Sequence, residues 1–237
     1  IAKKETPPTK KAILFSVDNY KDFDVLNVGP KIKGRSEPNA EIIITTDEND
    51  YFVKSNENGE FEIQISIPAG LSKVRVNNLT SNTNQELLLV YSTEVEEGLT
   101  SYVGTITDIS SGAIQVRSQN GGIVQISIND EAKIINTLKK NVEIKESDLA
   151  IGDYIVSMGK ILQNKVLQAK RVLVSSPATD NNVEIKKIKI EKLTKTTIND
   201  IALPKTWVGP NIKDLEIGED LIIVGTTADN KFDLRSI

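Results

Sequence analysis

DLAIGDYIVSMG, running from Asp148 to Gly159, returns as DLEIGEDLIIVG from Asp214 to Gly225, 66 positions further on. Each copy is followed by an Asn-Lys pair (Asn164-Lys165, Asn230-Lys231) and by an arginine near a final apolar strand (Arg171, Arg235). A repeat of this kind means that each copy belongs to one self-similar folding unit. The unit reads as a small β-barrel. Leu149 plugs one end of it behind a single helical turn capped by Ser147. Gly152 supplies a turn at positive φ, and Gly159 permits the bend that carries a strand from one barrel wall to the other. Leu215, Gly218 and Gly225 take the same parts in the second copy. These six residues are structural; none of them carries chemistry.

Outward from the repeat, the pattern stays β. Val124, Ile126 and Ile128 alternate with polar residues, and so do Phe61, Ile63, Ile65 and Ile67, and Val74 with Val76. A period of two places one face of each strand in a core. Ser111-Gly112, Asn120-Gly121-Gly122 and Asn58-Gly59 read as hairpin turns, the last joining Tyr51-Phe52-Val53 to the Phe61 run. Pro68-Ala69-Gly70 marks a further turn. Helix is expected only as single turns, because no stretch sustains helical periodicity. Ile134, Ile135 and Leu138 come nearest, and that segment is read as strand.

The 237 residues carry a net charge of −4 with both signs interleaved, and contain no Cys and no His. Those absences remove disulfides, thiolate nucleophiles, Cys-ligated metals and the commonest general base. Gly-rich phosphate loops, nucleophile elbows and metal-ligand spacings are not present in the sequence either. Carboxylate neighbours such as Glu94 with Glu96-Glu97, or Glu219 with Asp220, lack the aromatic cleft that would raise one pKa. The expectation is a non-enzyme with no catalytic residue, no cofactor and no metal. Asp47, Glu48, Asn49 and Asp50 cluster at a hairpin tip, where a polar turn is expected rather than a calcium site.

The string from Gly34 to Gln85 resembles the bacterial immunoglobulin-like domains of surface proteins. Gly34, Glu37-Pro38, Ala40, Ile42–Ile44, Asn56-Glu57-Asn58-Gly59, Phe61 and Gly70 match their ordered elements. The resemblance implies a sandwich used as a spacer or binding module. The segment around the first repeat copy resembles small bacterial OB-like or reductase-like barrels of unknown function, through Gly104, Ile106 and Ile109, then Ser147, Leu149 and Gly152-Asp153, then Gly159, Ala169 and Val172. The second copy lacks the Gly-rich hairpins and is shorter, so a trimmed barrel is expected there.

The expected fold class is therefore all-β: an Ig-like β-sandwich plus two small tandem β-barrels, arranged as beads on a string. Residues 1–11 read as a tether, 12–97 as the sandwich, 98–176 as the first barrel, 177–181 as a linker and 182–237 as the second barrel. Because the chain starts at Ile1 and not Met, it reads as a processed or excised piece. The expected function is a structural or adhesive segment of a bacterial cell-surface or extracellular protein. Its partners would be other surface proteins, copies of itself or cell-wall carbohydrate, and it would meet a membrane only through a missing upstream anchor. A carbohydrate- or peptide-binding module using a barrel face near Trp207 is the alternative. A weaker one is an OB-type nucleic-acid binder using Lys186, Lys187, Lys189, Lys192 and Lys195. No nucleic acid is expected to bind, because acids interrupt those lysines and no aromatic lies within Val183–Ile198 to stack bases.

Overall fold

A computed structural model describes residues 15–96, 98–119, 121–178, 183–229 and 231–237. The tether, most of the linker, Asn120 of one turn and Asn230 of the Asn-Lys pair lie outside these residues. Among the described residues every regular element is a β-strand or a single 3₁₀ turn, so the protein is all-β.

The first module holds β1 (Ser16–Val17), β2 (Val25–Leu26), β3 (Lys31–Arg35), β4 (Glu41–Thr45), β5 (Asp50–Lys54), β6 (Glu60–Gln64), β7 (Gly70–Asn78) and β8 (Thr83–Tyr91). They form a three-stranded sheet in the order β1-β3-β6 and a five-stranded sheet in the order β2-β8-β7-β4-β5. Alternation explains why they pack. Ile32 and Phe61 from the small sheet meet Ile42, Ile44, Val74, Val76, Leu87 and Leu89 from the large one in a single apolar core. The Asn58-Gly59 turn departs from expectation, since it joins strands of different sheets and not a hairpin pair: β5 pairs with β4, and β6 with β3. Locally the turn is tight, with the Asn56 Oδ1 accepting the amides of Asn58 and Glu60, each at 2.9 Å. The strands then part because Phe61 belongs opposite Gly34 in the small sheet.

β9 (Thr100–Ser110), β10 (Ala113–Ser118), β11 (Ile123–Ser127), β12 (Lys133–Asn136), β13 (Val142–Ile144), β14 (Tyr154–Ile161) and β15 (Leu167–Ser175) build the second module. Five of them close a barrel in the order β11-β10-β9-β14-β15, sealed by parallel pairing of Ile126 with Leu167. β12 and β13 continue the sheet from the other edge of β15. Ile106, Ile114, Val116, Ile126, Ile155 and Leu167 fill the barrel.

The third module contains β16 (Val183–Lys189), β17 (Thr197–Ile198), β18 (Ile201–Ala202), β19 (Asp220–Ala228) and β20 (Lys231–Ser236). β16-β19-β20 form a sheet and β17-β18 a separate small hairpin. Leu193, just after β16, bridges to Ile198, and β18 lies against β20. Ile190, Ile198, Leu221, Ile223, Leu234 and Ile237 make its core.

The modules are not independent beads. Val90 of the first module shares an apolar cluster with Leu99, Val103, Val156, Met158 and Leu173 of the barrel. Asp24 bridges Thr100, and the Ser101 hydroxyl donates to the Phe23 carbonyl at 2.7 Å. The third module meets the first through Arg235, Ser236 and Asp50. Beads on a string would need polar module surfaces; here the surfaces that meet are apolar or ion-paired.

Candidate functional site

Where the sequence repeats, the backbone repeats too. A 3₁₀ turn at Glu146–Asp148 precedes Leu149, and another at Ile212–Asp214 precedes Leu215. Ser147 sits inside the first turn instead of capping it. The N-cap position falls on Lys145, whose own amide the Asp148 carboxylate accepts (2.9 Å). Gly152 and Gly218 then take φ of +98° and +99°. The Gly152 amide donates to the Ile106 carbonyl at 2.9 Å, and the Gly218 amide to the Ile190 carbonyl at 2.7 Å. Each carbonyl's own residue donates back, Ile106 to Asp153 and Ile190 to Glu219, both at 2.9 Å. The Asp153 and Glu219 carboxylates in turn accept the Ala150 and Glu216 amides. Leu149 is buried in the barrel core, while Leu215 is half-buried against the core of the third module.

Gly159 and Gly225 mark a β-bulge in the closing hairpin of each copy. A Cβ at Gly159 would overlap the Gln168 carbonyl, and one at Gly225 the Asp233 carbonyl. Gly159 faces Ala169 while Met158 faces Arg171, so Lys170 is the extra residue. Gly225 faces Leu234 while Val224 faces Ser236, so Arg235 is the extra residue. The structural counterpart of Arg235 is therefore Lys170, not the Arg171 that shares its residue type. A bulge re-aims side chains out of the ladder. In the first copy Lys170 reaches Glu131 at 3.1 Å, and the next residue, Arg171, reaches Glu94 in the segment entering the barrel at 2.5 Å. In the second copy Arg235 reaches Asp50 of the first module at 2.9 Å.

Among the described residues Asp50 is the one charged residue that is buried. It begins β5 beside the Thr46–Asn49 tip, only 2% exposed. Its carboxylate accepts from the Arg235 guanidinium (2.9 Å) and the Ser236 hydroxyl (2.8 Å), and Arg235 also donates to the Thr46 carbonyl (3.1 Å). Burial pushes the Asp50 carboxyl above its ordinary value, against the opposing pull of Ser236 and Arg235. Asp47 is shifted upward by burial as well. The acidic tip that the sequence offers as an oxygen cluster is thus a docking point, with Asp50 already bonded inside the protein. No group of three or more carboxylates among the described residues is placed to hold a metal.

Most of the remaining candidates make internal contacts. Lys186 pairs with Glu184 at 2.7 Å and lies 4.2 Å from the centre of the Phe232 ring, an aromatic that only the fold brings to this strand. Lys187 pairs with Asp220, and Lys192 with Asp200. Trp207 is half-buried over the third core, with its indole N–H given to the Pro210 carbonyl at 2.9 Å. Glu219 is held by the repeated turn. A cleft of about 730 Å³ lies where the first module meets the barrel and includes Asp22, Asp24, Phe23 and Tyr102. Asp22 accepts the Leu88 amide and Asp24 the Lys21 amide, so both carboxylates there serve the backbone.

No protein-family model matches the chain, and neither the curated proteins nor the solved structures contain a significant match.

Proposed function

We propose that this chain is a non-catalytic structural segment of a bacterial cell-surface or extracellular protein, in which an immunoglobulin-like sandwich carries two OB-like barrels, the second a trimmed form of the first. The sandwich reading is supported by the strand order, β1-β3-β6 against β2-β8-β7-β4-β5. An immunoglobulin sandwich sets its A, B and E strands against G, F, C and C′; β1-β3-β6 follows the first set and β8-β7-β4-β5 the second, with β2 added beside β8 at the edge. Support for the trimmed barrel comes from the matched hydrogen bonds of the two turns. In that reading β16 stands for β9, β17-β18 for β10-β11 and β19-β20 for β14-β15, and the β12-β13 extension is missing.

The observation that carries the function is the use made of the bulge. In both copies a residue at or beside the bulge, Arg171 or Arg235, binds an acid upstream of its own module, Glu94 or Asp50. A fold that uses a repeated irregularity to fix neighbours to one another is built to hold geometry. The acids are thereby consumed as partners, and the cleft carboxylates cap backbone amides. Adhesion to other surface proteins or to cell-wall carbohydrate would use the outer faces. The experiment is protease treatment of intact cells of the source organism, followed by peptide mapping. Peptides from 15–237 should be released without lysis. Recovery of the segment only from the cytosolic fraction would overturn the surface assignment.

A further inference from the structure

The five-stranded sheet of the first module has an outer face that is not left to water. Ile42 and Ile44 point into the core, so Ile43 between them points outward, yet it is 1% exposed. Val224 of β19 stands likewise opposite Leu221 and Ile223 and is fully buried. A crevice between these sheets is walled by Thr45, Arg75 and Asn77 on one side and by Val183 and Ile185 on the other. Beside it sits the Asp50 carboxylate with Arg235 and Ser236. Each half of this interface is a different surface, one on the first module and one on the third.

We propose that the same interface also forms between two copies of this chain, the third module of one docking on the first module of the next. An interface whose halves lie on separate modules has identical contacts within a chain and between chains. Only concentration decides between them, and the tethered arrangement wins until the density of chains approaches the effective concentration, on the order of millimolar. Because the two surfaces differ, docking between chains runs head to tail and does not close after two copies unless the exchange is reciprocal. This deepens the structural reading above by naming the copy itself as the partner. A dense surface layer would reach the required concentration with no contact beyond those already present.

The test uses two full-length variants, Asp50→Arg and Arg235→Asp. Within either chain the two positions now carry like charge, which opposes docking. Between the two chains both pairs are again opposite. Each variant alone should run by light-scattering chromatography at the monomer mass of 26.1 kDa, with a larger hydrodynamic radius than the wild type. An equimolar mixture should give particles of twice that mass or more. A mixture that stays monomeric while each variant is expanded overturns the proposal. So does a variant that remains as compact as the wild type, since the ion pair would then not hold the module. Where either variant loses the wild-type far-UV spectrum, Asp50→Lys with Arg235→Glu replaces the pair under the same criteria. Cell-surface location has no bearing on this result, so the two readings fail separately.

Discussion

A side chain at Gly159 meets the Gln168 carbonyl, whereas one at Gly152 meets nothing within 4 Å. The two glycines occur in one repeated motif for different reasons, a close approach at the bulge and a positive φ at the turn. Gly152→Ala is expected to cost about 1–2 kcal/mol, the ordinary penalty for a left-handed L-residue. Gly159→Ala adds an overlap with rigid backbone, so about 1–3 kcal/mol is expected along with a local shift of β15. Urea unfolding of both variants checks the order. A Gly159→Ala protein as stable as the wild type would show that the bulge relaxes freely. The positive-φ turn at Gly152 is legible in the sequence, but the close approach at Gly159 is not, because the colliding carbonyl belongs to another strand.

At the scale of the element, β20 and β5 show how a strand end becomes a joint. The extra residue at the bulge turns Arg235 out of the ladder and toward Asp50, which is buried at the start of β5. Since burial raises the Asp50 carboxyl in the folded protein, the folded state holds its proton to higher pH than the unfolded chain does. The corresponding contribution to stability is full below the ordinary value of 3.8 and is lost as pH rises through the raised value. Glu62, Glu94 and Glu184, each lowered chiefly by a hydrogen bond from a lysine or arginine, act in the opposite sense. They are unchanged in an Asp50→Asn variant, so the comparison removes their contribution and leaves that of Asp50 with its neighbour Asp47. Stability of the wild type relative to Asp50→Asn should decline as pH rises from about 4. Parallel profiles of urea midpoint against pH would contradict it.

For the molecule as a whole, the apolar cluster between the first module and the barrel predicts joint unfolding. Met158 is fully buried in that cluster. Met158→Ala should cost about 2–5 kcal/mol, the range for truncating a packed core side chain. The loss should appear in both modules, as faster amide exchange in β7 and β8 as well as in β14 and β15. Loss confined to β14 and β15 would mean that the modules unfold separately despite their shared cluster. Trp207, the single tryptophan, reports the third module alone, and its fluorescence should be unchanged by this variant under native conditions.

By itself the sequence determined the strands, the all-β class, the two-fold recurrence of the turn and the residues that build it. All of these follow from local rules, the period of two on a strand and the φ or space that a glycine supplies. Alternation marked Val74, Val76, Phe61 and Ile65 for burial because each strand must hide one face, whatever it packs against. Tertiary structure alone decided the rest. Asn58-Gly59 links two sheets because Phe61 pairs across from Gly34, 27 residues upstream. Arg235, and not its neighbour, is the bulged residue because the ladder slips at Val224/Gly225. Asp50 is ion-paired because Arg235, 185 residues away in sequence, is folded back onto it. Burial on a second face and the partner of a charge depend on contacts between distant segments, and no local pattern encodes those.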